Sequence, residues 1–262
     1  MKVTVLAENT TCRGDLRPEH GLSLFIETGD QKILFDAGQS GAFAYNAEVL
    51  GIDLQKTDFA ILSHGHYDHG GGLIRFRQIN STAPIYLHPA AFGAHYHGAD
   101  RYIGLDPALA HCPGLICTQD EYPIAENITL YTCNTQAKLY PVDHFGITKV
   151  ENEKHVPDPF FHEQYLLIEE NEKRICFSGC SHKGIINIVH WLQPDVLIGG
   201  FHLSAIDPQT QGSCLEETAR TLLSFPTEYY TGHCTGQSQF AFLQHFMGDR
   251  LHGISTGSVL TL

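Results

Sequence analysis

His64, His66, Asp68 and His69 fall within six residues of the segment SHGHYDHGGG, directly after the apolar run DFAILS and directly before three glycines. His64 and His66 stand two apart, so on extended chain their side chains leave the same way and can meet one cation. Asp68 and His69 follow a turn, where a helix should start, and a carboxylate with an imidazole facing back over the same spot suits a second cation. The bland alternative is a helix start capped by aspartate with solvated histidines around it. Three histidines in six positions ahead of three glycines argue against it.

Other pieces share this grammar of strand end, glycine and donor. Asp36 closes the run ILFDAG; alone it reads as a turn cap, and beside a metal cluster it reads as a partner for the far N–H of a ligating histidine or for the histidine loop's backbone. In FSGCSHKG, Cys180 and His182 are again two apart before a helix, and thiolate and imidazole both suit zinc. A buried cysteine in a capping segment is the alternative there. YYTGHCTGQ brings His233 between two glycines, with Cys234 beside it read as packing. His202, in GGFHLS, is a candidate ligand or proton donor. His88, His95, His97, His111, His144, His155 and His162 read as isolated loop histidines, with His162 singled out because it stands just before a hairpin.

Elements that would position these groups follow from periodicity. GLSLFIETGDQKILFDAG predicts a hairpin turning at Gly29-Asp30. A helix is expected over 41–51, then the strand leading to His64, a helical stretch through Phe76, and a strand at 84–88. From about 90 to 160, glycine, proline and isolated aromatics interrupt every candidate element except a strand-like ITLYTC at 128–133, which predicts a loop-rich insertion over a site. QYLLIEENEKRICFSGC predicts a second hairpin. Helices follow at 184–192, 213–224 and 236–247, with strands at DVLIGG, at 228–231 and at 258–262. Strands alternating with helices, plus hairpins, indicate an α/β chain with mixed sheets. IETGDQKILFDAG and IEENEKRICFSGC also align without a gap, and each leads to a helix and a strand opening at Asp58 or Asp195. Either two hairpins resemble each other by chance or the chain is internally duplicated, which would make His64 and His202 counterparts.

Composition narrows the partners. Acidic residues outnumber basic ones 29 to 16 with no basic stripe, so binding to a phosphate backbone is not expected. No apolar run is long enough to cross a bilayer, and the first residues carry no leader pattern, so a cytoplasmic protein without membrane contact is expected. Eight unclustered cysteines then read as reduced thiols. A single domain over 1–262 is expected from the length. Phosphate-loop and dinucleotide motifs are missing from the sequence.

SHGHYDHGGG, LFDAG and TGHCTG together resemble the motifs of the metallo-β-lactamase superfamily. EHGLSLFIET, SGCSHKGIINIV, GGFHLS and GDRLHGISTGSVLTL extend the likeness to the branch of 7,8-dihydropterin-6-yl-methyl-4-(β-D-ribofuranosyl)aminobenzene 5'-phosphate synthases. The resemblance implies a four-layer αββα sandwich, with two mixed sheets, helices outside and two divalent metal ions at one edge. Zinc is the first expectation and iron or manganese the alternatives. It assigns His64 and His66 to one ion and Asp68, His69 and His233 to the other. Two departures stand out: a bridging aspartate is replaced by Cys180, and a histidine expected some twenty residues upstream has only His162 as a match. His182 is the expected replacement ligand, with Cys180 near or on the second ion.

The resulting expectation is a metal-dependent hydrolase-type enzyme that activates water against an ester or phosphoester of a small anionic or phosphorylated molecule. Asp68 and His202 are its candidate catalytic groups, with Cys180 an alternative to His202 for the leaving-group proton. The branch implies a variant in which pyrophosphate on a pterin is displaced by an arylamine. Phe92, Tyr96, Tyr102 and Tyr122 would offer faces for a flat ring. A di-iron redox enzyme and a non-catalytic metal-binding or sensing protein are the competing classes.

Overall fold

Apolar runs with two buried faces become the strands Lys2–Ala7, Ser23–Thr28 and Gln31–Phe35 in the computed structural model, which describes residues 1–262. Such strands read as near-continuous apolar segments because neither face meets water. The chain forms two compact units. The first comprises Met1–Gln119, Gly146–Gln164 and Ser255–Leu262, and the second Asp120–Phe145 and Tyr165–Ile254.

In the first unit a seven-stranded sheet runs in the order Val259–Thr261, Lys2–Ala7, Ser23–Thr28, Gln31–Phe35, Phe59–Ile61, Ile85–Leu87, Leu115–Cys117. Its first three pairings are antiparallel and its last three parallel. The helices Ala42–Val49 and Leu73–Ile79 bury Phe43, Ala47, Leu73 and Phe76 against Leu6, Phe25, Leu34, Ala60 and Ile85. The second unit has its own seven-stranded sheet, ordered Leu251–Gly253, Glu228–Thr231, Val196–Gly199, Lys173–Ser178, Tyr165–Glu170, Ile128–Tyr131, Glu121–Ala125. From its other end this sheet has the same sequence of pairings, three antiparallel and then three parallel. The helices Ile185–Leu192, Gly212–Leu223 and Gln237–Met247 supply Ile188, Leu215, Leu222 and Leu243 to a core with Leu167, Leu197 and Tyr229.

The two hairpins share more than pattern. Asp58 donates its N–H to Lys32 O and accepts the Lys32 N–H on its carboxylate, at 2.8 and 2.7 Å. Asp195 repeats this clasp on Arg174 at 2.8 and 2.7 Å. Identical pairing order plus identical clasps at aligned positions favours internal duplication over chance.

The 90–160 segment differs from a loop-rich insertion. It holds strands that extend both main sheets, and a separate four-stranded antiparallel sheet of Lys154–Pro157, Ile147–Glu151, His95–His97 and Arg101–Tyr102 in the first unit. These strands are two to five residues long and largely exposed, so they lack the apolar alternation by which strands are read. The strand Leu251–Gly253 escaped because three residues are too few to show a period. No helix is long and apolar enough to cross a membrane.

Candidate metal centre

Asp36 organises the cluster in the first unit. It leaves the strand Gln31–Phe35 in the left-handed region, with φ 58°, and is fully buried. The strand Phe59–Ile61 runs parallel beside it, so Ser63 arrives at the same sheet edge. Asp36 Oδ1 accepts the Ser63 N–H and Oδ2 the Ser63 hydroxyl, both at 2.7 Å. Oδ2 is also 2.7 Å from His69 Nδ1. The carboxylate can only accept here, so His69 carries its hydrogen on Nδ1 and keeps the lone pair on Nε2. Ser63 has given its hydrogen to Asp36, so its oxygen accepts from His64 Nδ1 at 2.8 Å. One aspartate thus sets both imidazoles in the tautomer that offers Nε2 to a cation.

His66 is 4% exposed. Burial, with His162 alongside, holds its imidazole well below the usual histidine range although Asp68 opposes this. Neutral imidazole is the ligating form. The His64 ring lies 4.6 Å from that of His66 and 4.1 Å from that of His69, centroid to centroid. Asp68 and His69 sit in the short helix Tyr67–Gly70. His20, half exposed, brings Nε2 to 3.3 Å from Asp68 Oδ2. Gly65 lets the loop between the two histidines pass the 89–92 turn, because a Cβ there would stand 2.2 Å from Ala91 O.

A buried prop supports that loop. His162 Nδ1 accepts the Gly65 N–H at 2.9 Å, so its hydrogen is on Nε2, 3.3 Å from Asp158 Oδ2. His95 Nδ1 meets the same oxygen at 2.6 Å, and Asp158 Oδ1 accepts the Phe160 N–H at 2.7 Å. Burial alone would raise the Asp158 carboxyl, but hydrogen bonds from His162 and His95 hold it well below the usual carboxylate range. Donor atoms of His66, His95, Asp158 and His162 all lie within 4.8 Å of one another. With both His162 nitrogens engaged on protein groups, this histidine has the geometry of a loop support.

In the second unit three parallel strands, Lys173–Ser178, Val196–Gly199 and Glu228–Thr231, end at one sheet edge and carry the remaining candidates. That edge is where open α/β sheets place ligands. Cys180, His182 and His233 are buried there. Ser181, at φ 60°, donates its hydroxyl to Gly200 O at 2.6 Å, fixing the turn between Cys180 and His182. The His182 and His202 rings are 4.2 Å apart. Cys234, expected to be packing, lies with Cys180 and His202 in one donor group. Burial would raise the Cys234 thiol, but hydrogen bonds with Cys180 and His202 bring it well below the usual range. Lys183, also buried, donates to Thr132 O and Asn134 Oδ1 at 2.6 and 2.8 Å and so serves the fold.

The donor chemistry of the first unit fits a divalent cation: neutral buried imidazoles, fixed tautomers and an adjacent carboxylate. The family model of the metallo-β-lactamase superfamily matches residues 16–207.

The chain belongs to the metallo-β-lactamase superfamily.

It is 30% identical over 261 residues to the 7,8-dihydropterin-6-methyl-4-(β-D-ribofuranosyl)-aminobenzene-5'-phosphate synthase of Methanocaldococcus jannaschii, covering 89% of this chain and 88% of that protein. An uncharacterised protein of the same organism is 31% identical over 215 residues, covering 78% of this chain and 80% of its own length. The crystal structure of Tm1679, a metal-dependent hydrolase of the β-lactamase superfamily, superposes with a TM-score of 0.86 at 26% identity, over 100% of this chain and 99% of that one. The α/β fold expected from the sequence is that of the superfamily, with two mixed sheets and their helices. Superfamily membership makes this a chain from a family of metal-dependent enzymes.

Sequence reasoning singled out His64, His66, Asp68, His69 and Asp36, which the structure gathers in the first unit, and Cys180, His182, His202 and His233, which it gathers in the second. It passed over Asp158 and His20, gave His95 no role, and set Cys234 aside. A DPFFH segment was the one available signal for Asp158, since aspartate and histidine four apart before a hairpin can share a hydrogen bond.

Proposed function

We propose that this chain is a metal-dependent enzyme acting on a small anionic or phosphorylated substrate. Two divalent cations would be held by the chain, with His64, His66, Asp68 and His69 as candidate ligands in the first unit and Cys180, His182 and His233 as candidate ligands in the second. The observation that carries this reading is the Asp36 network, which leaves His64 and His69 presenting Nε2 while donating from Nδ1. When bound, such cations supply Lewis acidity toward an anionic oxygen and acidify water toward neutrality. The chain's own part is to keep the imidazoles neutral and fixed and to hold Asp68 beside the ions, where its carboxylate can accept a proton from the attacking group. His202 would return a proton to the leaving group.

Hydrolysis of an ester or phosphoester is the first reading, supported by the donor set and by likeness to a protein described as a metal-dependent hydrolase. A second reading is favoured by the 30% identity to the synthase: an arylamine nitrogen forms a bond to a pterin methylene carbon as the bond from that carbon to pyrophosphate oxygen breaks. The test is elemental analysis of protein purified without added metal, followed by turnover of phosphoesters and of a dihydropterin pyrophosphate with an arylamine. Close to two ions per chain, lowered by His66→Ala and by His182→Ala, with turnover of one substrate class, is expected. Metal content indifferent to both substitutions sinks the ligand assignment.

A further inference from the structure

The second unit contains a donor group that the two-cation reading does not use as a unit. We propose that Cys180, His202 and Cys234 form a thiophilic cation site that takes a zinc-class ion on two sulfurs and one imidazole nitrogen. Their donor atoms lie within 4.8 Å of one another, and both thiols are buried. Two thiolates and an imidazole are a recurrent zinc ligand set that leaves a fourth position open. Sulfur donors select for zinc-class and softer ions over magnesium or calcium.

The backbone is shaped around these sulfurs. A Cβ on Gly200 would stand 2.3 Å from Cys234 Sγ, so the thiol occupies room that any other residue would fill. The two segments bearing His202 and Cys234 are laced on either side of the pair. Phe201 donates its N–H to Thr235 Oγ1 at 2.9 Å, and Leu203 and Ser204 both donate to Cys234 O at 3.1 Å. Cys234 Sγ donates to Cys180 O at 3.5 Å. His202 adopts φ 54°, an uncommon conformation for a non-glycine residue that persists where the surroundings over-determine it. Its two ring nitrogens are enclosed and meet no oxygen or nitrogen partner. Enclosed imidazole nitrogens beside two thiols are suited to a cation that would coordinate all three. A disulfide would join the two cysteines and leave the imidazole without a role.

This inference shares Cys180 and His202 with the proposed function: a thiolate has lone pairs enough for two ions, and ligation by His202 replaces its proton-returning role. Cobalt(II) is the probe, because its thiolate charge-transfer absorption counts bound sulfurs. Wild type titrated with cobalt should show a two-thiolate band that falls by about half in Cys234→Ser and in Cys180→Ser and vanishes in the double variant. His66→Ala should keep the band while lowering total metal, which separates failure of this site from failure of the histidine set. X-ray absorption of the zinc-loaded wild type avoids any folding defect of the variants, and should find two sulfurs at one ion. A band abolished by Cys180→Ser and unchanged by Cys234→Ser, or no more than one sulfur per ion, overturns the proposal.

Discussion

At the scale of single residues, Asp36 has the widest reach, because one carboxylate fixes two imidazoles and the backbone between them. Replacing Asp36 with alanine removes acceptors for the Ser63 N–H, the Ser63 hydroxyl and His69 Nδ1 together. His64 then loses its tautomer constraint as well, since Ser63 is released to donate toward it. Metal affinity is expected to weaken roughly 10–100-fold, as for other groups that orient ligands without touching the ion. Competition with a chromophoric chelator measures this, and an unchanged affinity would show that the tautomers are set elsewhere. Asp36 was legible in sequence because it closes a strand at a predicted sheet edge. Asp158 was not, because its partners His95 and His162 come from distant positions joined only by a sheet of very short strands.

At the scale of elements, the metal-bearing loop owes its shape to close backbone approaches. Gly65 packs against the 89–92 turn on one side while its N–H is held by His162 on the other. A methyl group there needs the Ala91 carbonyl to move, and overpacking of this kind costs roughly 1–3 kcal/mol. Gly65→Ala should therefore lower the unfolding free energy obtained from chemical denaturation by that amount and reduce metal occupancy. Gly14→Ala, at a position with open space around it, should stay within about 0.5 kcal/mol of wild type. Equal effects at the two positions would refute the steric argument. The hairpins and long helices around the loop were readable because each has one period and a marked end. The 95–157 sheet was not, since Arg101–Tyr102 and Lys154–Pro157 expose nearly every residue and bury too little to leave a pattern.

At the scale of the whole molecule, buried ionisable groups make stability depend on pH in a direction that can be worked out. His66 is kept neutral by burial, so its folded pKa lies below the roughly 6.5 of an unfolded histidine. Between those values the unfolded chain binds the proton and the folded chain does not, so stability falls as pH falls from about 6.5, with a slope of up to about 1.4 kcal/mol per pH unit. Asp158 acts lower on the scale. Its folded pKa is depressed, so its contribution is full above the unfolded value of about 3.9 and is lost as pH drops through the folded value. Metal-free protein should therefore lose stability in two stages on acidification, the first assigned to His66 and the second to the Asp158 network. Urea denaturation of chelator-treated protein between pH 7 and pH 5 tests the first stage, and His66→Gln should flatten it. A wild-type profile already flat over that range would mean that His66 carries a proton in the folded chain, and the neutral imidazole on which cation binding depends would have to be found elsewhere.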